Sequence, residues 1–143
     1  MVLPKGFRPI DRLELFRALG DEGRLKLLAV CLEEELSVGE LAEILNDSQP
    51  QISRRAAPLR QLGLLDSRRE ATRSYLKTSK TASSDPIVEE ALAEGRRLAT
   101  LDDCFGRLHR VLIAREQASR EYFGELAGKS PEPEALDEEP ALA

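Results

Sequence analysis

The sequence predicts a mainly α-helical fold that carries one small β-hairpin. Apolar residues recur at three- and four-residue spacing through most of the chain, which is the pattern of amphipathic helices. Helix-capping residues divide this pattern into several helices. One stretch, 64–77, departs from it and has the form of two short strands around a polar tip. With 143 residues and 41% hydrophobic content, the chain can bury one ordinary core rather than two.

Two helices are predicted at the start of the chain, after a loose N-terminal arm over 1–9. The first spans about 10–19 and ends at Gly20, where Asp21 supplies the N-cap of the second, over about 22–35. The second helix carries a broad apolar stripe and is therefore suited to the centre of the core. The apolar faces consist of Leu13, Phe16 and Leu19 in the first helix, and Leu25, Leu27, Leu28, Val30 and Leu32 in the second.

The stretch 37–65 contains two further helix starts, close together. Ser37 and Glu40 have the spacing of a capping box, in which each residue's side chain accepts a hydrogen bond from the other's backbone amide. Ser48 and Gln51 repeat this spacing. Apolar residues of both segments keep helical spacing, so the two helices can pack on each other. These signals predict two helices joined by a tight turn, over 38–45 and 49–62.

Prolines and a glycine shape the second helix of this pair. Pro50 lies in the first turn, where its missing N–H costs nothing, and Gly63 ends the helix as a left-handed cap. Pro58 lies inside the helix and removes the bond to the Arg54 carbonyl. We therefore expect a kink or an early loosening at Pro58, at a cost of up to about 3 kcal/mol unless packing compensates.

The outer face of this helix is polar near its N-terminus. Side chains of these types hydrogen-bond base edges and phosphates, and the amides of a helix start also favour an anion. The alternative is that the arginine-rich face is exposed to solvent and binds no ligand. The residues on or near this face are Gln49, Gln51, Ser53, Arg54 and Arg55.

The charge distribution agrees with a nucleic-acid interface. The chain has a net charge of −5, yet residues 50–80 hold eight basic and two acidic residues. A basic patch on an acidic body attracts a polyanion to one side of the molecule only. The predicted hairpin, over 64–69 and 72–77, contributes three of these cations beside a tip without glycine: Arg68, Arg69 and Arg73.

The C-terminal part is predicted to be helical and to pair with a second copy. Residues 77–85 are expected to form a polar linker, and Asp85 with Pro86 opens a helical region that continues to about Leu126, with an interruption near 100–103. An apolar seam, broken at Arg115 and Ser119, runs along this region and favours packing against a second copy of the chain. The alternative is that the helix folds back on its own domain. The seam consists of Leu101, Phe105, Leu108, Leu112, Tyr122 and Leu126.

Composition narrows the class of protein. No long apolar run and no signal-peptide core is present, so we expect a cytoplasmic protein without a membrane span. A single histidine, no paired carboxylates in a plausible cleft and no phosphate-cradling glycine loop argue against an enzyme, and no cofactor is expected. The predicted organisation is an N-terminal arm (1–9), a DNA-binding domain (10–80), a helical dimerisation region (85–127) and an acidic disordered tail (128–143).

Three segments together resemble the ArsR/SmtB-type winged helix-turn-helix repressors. They are LFRALGDEGRLKLL, ELSVGELAEIL and SQPQISRRAAPLRQLGLLDSRRE, and the resemblance covers about residues 12–80. It implies a winged helix-turn-helix with long C-terminal dimerisation helices, and a homodimer that binds a partly palindromic double-stranded operator until an effector releases it. By position, the implied DNA contacts are Ser48, Gln49, Gln51, Ser53, Arg54 and Arg55 in the recognition helix, and Arg68, Arg69 and Arg73 in the wing. The alternative function is a winged-helix protein-interaction module that binds no operator.

The resemblance does not identify the effector. Soft-metal sensors of this family place a CxC pair where this chain has Ser37 and Gly39, so that thiolate site is absent. The zinc and nickel ligand set is not recovered either. Asp102, His109 and Glu116 are spaced by seven and remain weak metal candidates, with an ordinary surface histidine as the alternative.

Two cysteines offer another effector hypothesis. Some family members sense persulfides or oxidants with one cysteine on the second helix and one on the last helix, where this chain has Cys31 and Cys104. In those sensors the first cysteine stands at the position of Ala29 in this chain. The alternatives are two ordinary core cysteines and an unknown small-molecule effector.

Overall fold

The computed structural model describes residues 11–129, and these confirm the predicted mainly α fold with a small β wing. The predicted N-terminal arm and residues 130–143 of the predicted tail lie outside the described residues. The elements are α1 (Asp11–Leu19), α2 (Glu22–Glu33), β1 (Leu36–Ser37), α3 (Val38–Ile44), α4 (Gln49–Gln61), β2 (Leu65–Glu70), β3 (Arg73–Thr78), a 3₁₀ turn (Ala82–Ser84), α5 (Pro86–Leu101) and α6 (Cys104–Lys129). The strands form an antiparallel sheet in the order β1-β3-β2. The chain divides into two compact units, up to Leu108 and from His109 onward.

Helix α1 buries only part of its predicted apolar face. Leu15, Ala18 and Leu19 are buried, whereas Leu13 and Phe16 are 58% and 56% exposed. Of the three residues on the predicted apolar face, Leu19 is therefore a core residue, whereas Leu13 and Phe16 are not. Helical spacing alone did not settle the buried face, because Leu15 offers a second apolar side to the same helix.

Helix α2 is the centre of the core, as predicted, with Leu27 to Cys31 all buried. Leu32, which the predicted stripe included, is 40% exposed instead. It ends at Glu33 rather than Glu35, because Glu34 is already extended (φ −156°, ψ 146°) and leads into β1. Helix α5 packs against α2 at very short range. An added Cβ at Gly95 would lie 2.2 Å from the Leu25 carbonyl oxygen, so only glycine allows this approach.

The wing has three strands rather than two. Residues 36 and 37 pair with β3, with Leu36 opposite Leu76, and this extra strand was missed because two residues carry no periodicity of their own. The hairpin of β2 and β3 was predicted within one residue at each end. Its tip contains Ala71 at φ +56°, a left-handed conformation reached without glycine.

The predicted polar linker is a packed segment. Thr78, Ser79 and Ala82 are buried. The Thr78 hydroxyl donates to the Leu28 carbonyl (2.7 Å), which ties the end of β3 to α2. The prediction failed because small polar residues can be buried when their hydrogen bonds are satisfied.

The predicted start of α5 and the interruption near 100–103 are both confirmed. Asp85 caps α5 by accepting from the Ile87 amide (2.8 Å), and Pro86 is the first helical residue. Two residues separate α5 from α6, and one of them, Asp103, has φ +57°. The predicted tail starts inside the last turn of α6. Within 11–129, no helix has both the length and the apolar character needed to span a membrane.

Candidate nucleic-acid interface

The capping residues of α3 and α4 set the geometry of the helix pair. At α3 the capping box is complete: Ser37 Oγ accepts from the Glu40 amide (3.1 Å), and Glu40 accepts from the Ser37 amide (2.9 Å). At α4 only half of the predicted box forms. Ser48 Oγ accepts from the Gln51 amide (3.3 Å), but the Ser48 amide donates to Asp47 Oδ1 (2.9 Å). The amide that a capping Gln51 would have bound is therefore already satisfied.

Helix α4 continues past Pro58. It extends to Gln61, and the Leu62 amide donates to the Pro58 carbonyl (3.2 Å). The expected early loosening at Pro58 was therefore wrong, while a bend there stays a prediction. Pro58 lies in the last turn, and the buried Leu59 beside it holds that turn against the core. Gly63 follows at φ +78°, as predicted for the helix end.

The outer face of α4 presents polar side chains to solvent. Gln51 is half-buried, whereas the other residues predicted there, apart from Arg55, are exposed: Ser48, Gln49, Ser53 and Arg54. The Arg54 Nε makes a long bond to the Pro50 carbonyl (3.4 Å) and no described salt bridge. Because they are exposed, these side chains can reach an external partner.

A polar groove joins this face of α4 to the wing. It has a volume of about 490 Å³ and lies between α3, α4 and the hairpin. Gln49 and Ser53 line it from α4, and Thr72, Arg73 and Ser74 line it from the wing. The fold therefore brings residues separated by some twenty positions in sequence onto one surface.

Two wing arginines are exposed and free of described salt bridges. Arg69 and Arg73 lie near the hairpin tip, where Arg69 is opposite Ser74 and Arg73 is opposite Glu70 in the register. Within residues 11–129, neither forms an ion pair with a carboxylate. Their charges are available to an anion.

Arg68, by contrast, is engaged within the protein. Its guanidinium donates to both carboxylate oxygens of Glu35 (2.8 and 2.9 Å) and to one carboxylate oxygen of Glu70 (2.9 Å). The guanidinium also stacks over the Tyr75 ring, 4.7 Å from the ring centroid. The hydrogen bonds to Glu35 are the main reason why the pKa of Arg68 is raised. Sequence reasoning missed Glu35, because the strand that follows it was not predicted.

Arg55 is engaged as well. Its Nη1 lies 3.0 Å from Asp21 Oδ2, and its Nε lies 3.1 Å from Asp47 Oδ2. The side chain is only 28% exposed. Of the five arginines predicted to contact DNA, two are thus paired with carboxylates and three point to solvent.

Both cysteines are buried and free. Burial raises the pKa of Cys31 strongly, and burial together with nearby Asp102 raises the pKa of Cys104. The Cys104 thiol lies 3.7 Å from Asp102 Oδ2 and 3.6 Å from Arg107 Nη2. Since the thiolate is the reactive form, both surroundings disfavour thiol chemistry.

The three weak metal candidates share no binding partner among the described residues, and two of them are already paired with basic side chains. Asp102 accepts from Lys26 (3.1 Å), which is the main reason why its pKa is lowered, and also from Arg107 (3.4 Å). Glu116 pairs with Arg120 (3.1 Å), and His109 is exposed. In the part of the chain that the structure describes, no three His, Cys, Asp or Glu side chains cluster as metal ligands would.

The chain is similar in sequence to known bacterial regulatory proteins. The family model "Bacterial regulatory protein, arsR family" matches residues 21–67. The arsenical resistance operon repressor of Escherichia coli is 38% identical over 82 residues, which cover 55% of this chain and 70% of the repressor. The transcriptional activator HlyU of Vibrio cholerae is 42% identical over 67 residues, which cover 47% of this chain and 62% of HlyU.

Other relatives are matched over part of their length. The arsenic resistance regulator ArsR2 of Pseudomonas putida is 43% identical over 65 residues, or 45% of this chain and 56% of ArsR2. The chain thus spans less than two thirds of HlyU and of ArsR2. A solved structure of HlyU from Vibrio cholerae has a TM-score of 0.49 and 35% identity, and covers 64% of this chain and 91% of HlyU.

Proposed function

The chain belongs to the arsR family of bacterial regulatory proteins, and from this premise we propose that it is a sequence-specific DNA-binding regulator that acts as a homodimeric repressor. The observation that carries the proposal is the exposed polar face of α4 beside the wing. Amide and hydroxyl side chains at the start of a helix can bind base edges in the major groove, while cations on the wing bind phosphates.

In the proposed complex, some residues of this face bind base edges and others bind phosphates. Gln49 and Ser53 line the groove, and we assign them to base edges, with Ser48 and Gln51 beside them on the same helix. Arg54, Arg69 and Arg73 are the cations available for phosphates. Arg68, already held by two glutamates, orients the wing instead.

Binding to the DNA upstream of the chain's own gene tests the proposal. We expect a complex that excess non-specific DNA does not displace, and that Gln49→Ala weakens at the specific site more than at random DNA. Gln61→Ala, an exposed glutamine at the far end of α4, is the matched control and should leave binding unchanged. Equal binding to all sequences, or no complex at moderate salt, would favour the protein-interaction module.

Exposed apolar side chains support the proposed homodimer. Leu13 and Phe16 of α1 and Leu101 of α5 are 56–73% exposed, and large apolar groups of this kind favour burial against a partner. Phe16→Glu is expected to convert a dimer to a monomer in sedimentation velocity, because a buried carboxylate would be unpaired. Ser83→Glu, at an exposed position of the 3₁₀ turn, adds the same charge and should leave the dimer intact. A wild-type monomer at micromolar concentration would contradict the dimer.

The effector that relieves repression is assigned only by class. We propose a small molecule, because both cysteine thiols are buried away from an oxidant in solution, and this burial also raises the pKa of each thiol. Thiol sensing by Cys31 and Cys104 remains the alternative hypothesis. A Cys31–Cys104 crosslink after polysulfide treatment, together with a loss of DNA affinity, would establish that alternative instead.

A further inference from the structure

Arg54 and Arg55 are neighbours in α4 but have different surroundings. Arg54 is exposed and makes one long bond to the Pro50 carbonyl. Arg55 is mostly buried, and its guanidinium bridges the carboxylates of Asp21 and Asp47 at 3.0 and 3.1 Å. The positive charge of Arg55 is therefore already balanced within the protein.

The two carboxylates are themselves fixed by the backbone. Asp21 is the N-cap of α2 and accepts from the Arg24 amide (2.9 Å). Asp47 lies in the turn between α3 and α4, and its other oxygen accepts from the Ser48 amide (2.9 Å). Through these two anchors, Arg55 connects the DNA-facing helix to the start of the central helix and to the turn that precedes α4.

Gly23 makes room for this bridge. A Cβ built at Gly23 would lie 2.4 Å from Arg55 Nη1 and 2.6 Å from Arg55 Cζ. The guanidinium thus lies directly against the backbone of the first turn of α2. Any side chain at position 23 would push the guanidinium away from its carboxylates.

We propose that Arg55 is a positioning residue, which fixes the first turns of α4 on the protein for DNA binding, and not a DNA contact. The inference rests on the proposed DNA-binding function. A phosphate would have to compete with two fixed carboxylates for the guanidinium, and a base edge could be reached only by breaking both ion pairs. The residues that contact DNA from this part of α4 are Arg54 and the exposed polar side chains around it.

The dependence of DNA affinity on salt separates the two roles of an arginine. A phosphate contact releases counterions when it forms, so its loss makes the negative slope of log K against log salt shallower by about one per contact. Arg54→Gln, the matched control, should make this slope shallower. Arg55→Gln should weaken binding by about tenfold with the slope unchanged, because it disturbs the helix position and not a phosphate contact.

Asp47→Asn should change DNA affinity in opposite directions, depending on whether Arg55 positions α4 or contacts DNA. If Asp47 holds a positioning residue, its neutralisation weakens DNA binding, and combining it with Arg55→Gln adds little further loss. If Arg55 is a DNA contact, removal of the competing carboxylate strengthens binding. Stronger binding by Asp47→Asn, or a reduced salt slope for Arg55→Gln, would overturn the inference.

Gly23→Ala tests the bridge without changing a charge. Alanine favours the helix, so the melting temperature should not fall. DNA affinity should fall, since the methyl group displaces the guanidinium. Unchanged affinity of Gly23→Ala would contradict the positioning role, because a purely structural ion pair would show in the melting temperature and not in DNA binding.

A measurement without DNA keeps this inference separate from the proposed function. If the wild-type protein binds no DNA, the proposed function fails, and amide hydrogen exchange then tests the bridge alone. Faster exchange in the first turns of α4 for Arg55→Gln than for Arg54→Gln supports the positioning role. Equal exchange in the two variants refutes it.

Discussion

Replacement of Arg12 by methionine is expected to lower the free energy of unfolding by about 3 kcal/mol, since it leaves a buried carboxylate without its cation. Arg12 Nη1 donates to Asp85 Oδ2, and the Asp85 side chain is fully buried. This loss of stability is at the low end of the range for breaking a buried ion pair. The reason is that Arg12 Nη2 is buried without a hydrogen-bond partner among the described residues, and methionine removes the free-energy cost of that unsatisfied donor.

Chemical denaturation at pH 7 measures this loss, with Arg17→Met as the control. Arg17 lies on the same helix and forms an exposed pair with Glu14, so its replacement should change stability by less than about 0.5 kcal/mol. Equal effects of the two variants would mean that the Arg12–Asp85 pair does not stabilise the fold.

The loss caused by Arg12→Met should depend on pH. Burial alone would raise the pKa of Asp85, but the hydrogen bonds from Arg12 and from the Ile87 amide outweigh it and hold that pKa below its ordinary value. A lowered pKa in the folded state gives stability that is present above the unfolded pKa and is lost as pH falls through the folded pKa. The difference between wild type and Arg12→Met should therefore be largest near neutral pH and shrink below about pH 4.

Gly95→Ala is expected to destabilise the protein by about 2 kcal/mol, although alanine is the better helix former. The added Cβ would meet the Leu25 carbonyl oxygen at 2.2 Å and the Leu25 carbonyl carbon at 2.8 Å. Both atoms belong to the backbone of α2, so no side chain can rotate away, and the two helices must separate. The cost of that separation exceeds the gain of about 1 kcal/mol from helix propensity.

Gly124→Ala is the matched control for this prediction. Gly124 lies in α6, and an added Cβ there meets no atom within 4 Å. Its replacement should leave the midpoint of denaturation unchanged or raise it slightly. A Gly95→Ala variant as stable as the wild type would show that α2 and α5 do not require the close approach at this position.

The sequence predicted elements whose signals are local. Ser37, Ser48 and Asp85 each cap a helix in the structure, because a cap depends on residues two or three positions away. Strand β1 has no local signal, since its only support is its pairing with β3, some forty residues later. The same limit explains the buried Thr78, whose partner is the Leu28 carbonyl.

In the candidate interface too, the sequence could not predict side-chain contacts between residues far apart in the chain. The sequence identified the polar face of α4 and the basic wing from residue types and helical spacing. It could not distinguish Arg54 from Arg55, or Arg69 from Arg68, because the carboxylates that bind Arg55 and Arg68 include Asp21 and Glu35, more than thirty positions away. Folding thus decides which of several similar cations remain available to DNA.

The salt dependence of DNA binding shows whether DNA binds at the face formed by α4 and the wing. One variant combines Gln substitutions of the three exposed cations of the interface, Arg54, Arg69 and Arg73. A control variant with the same change of net charge replaces Arg17, Arg96 and Arg97, which form exposed ion pairs outside the proposed interface. We predict that the interface variant makes the negative slope of log K against log salt shallower by at least about two, and that the control keeps the wild-type slope. Equal slopes for the two variants would show that DNA does not bind at the face formed by α4 and the wing.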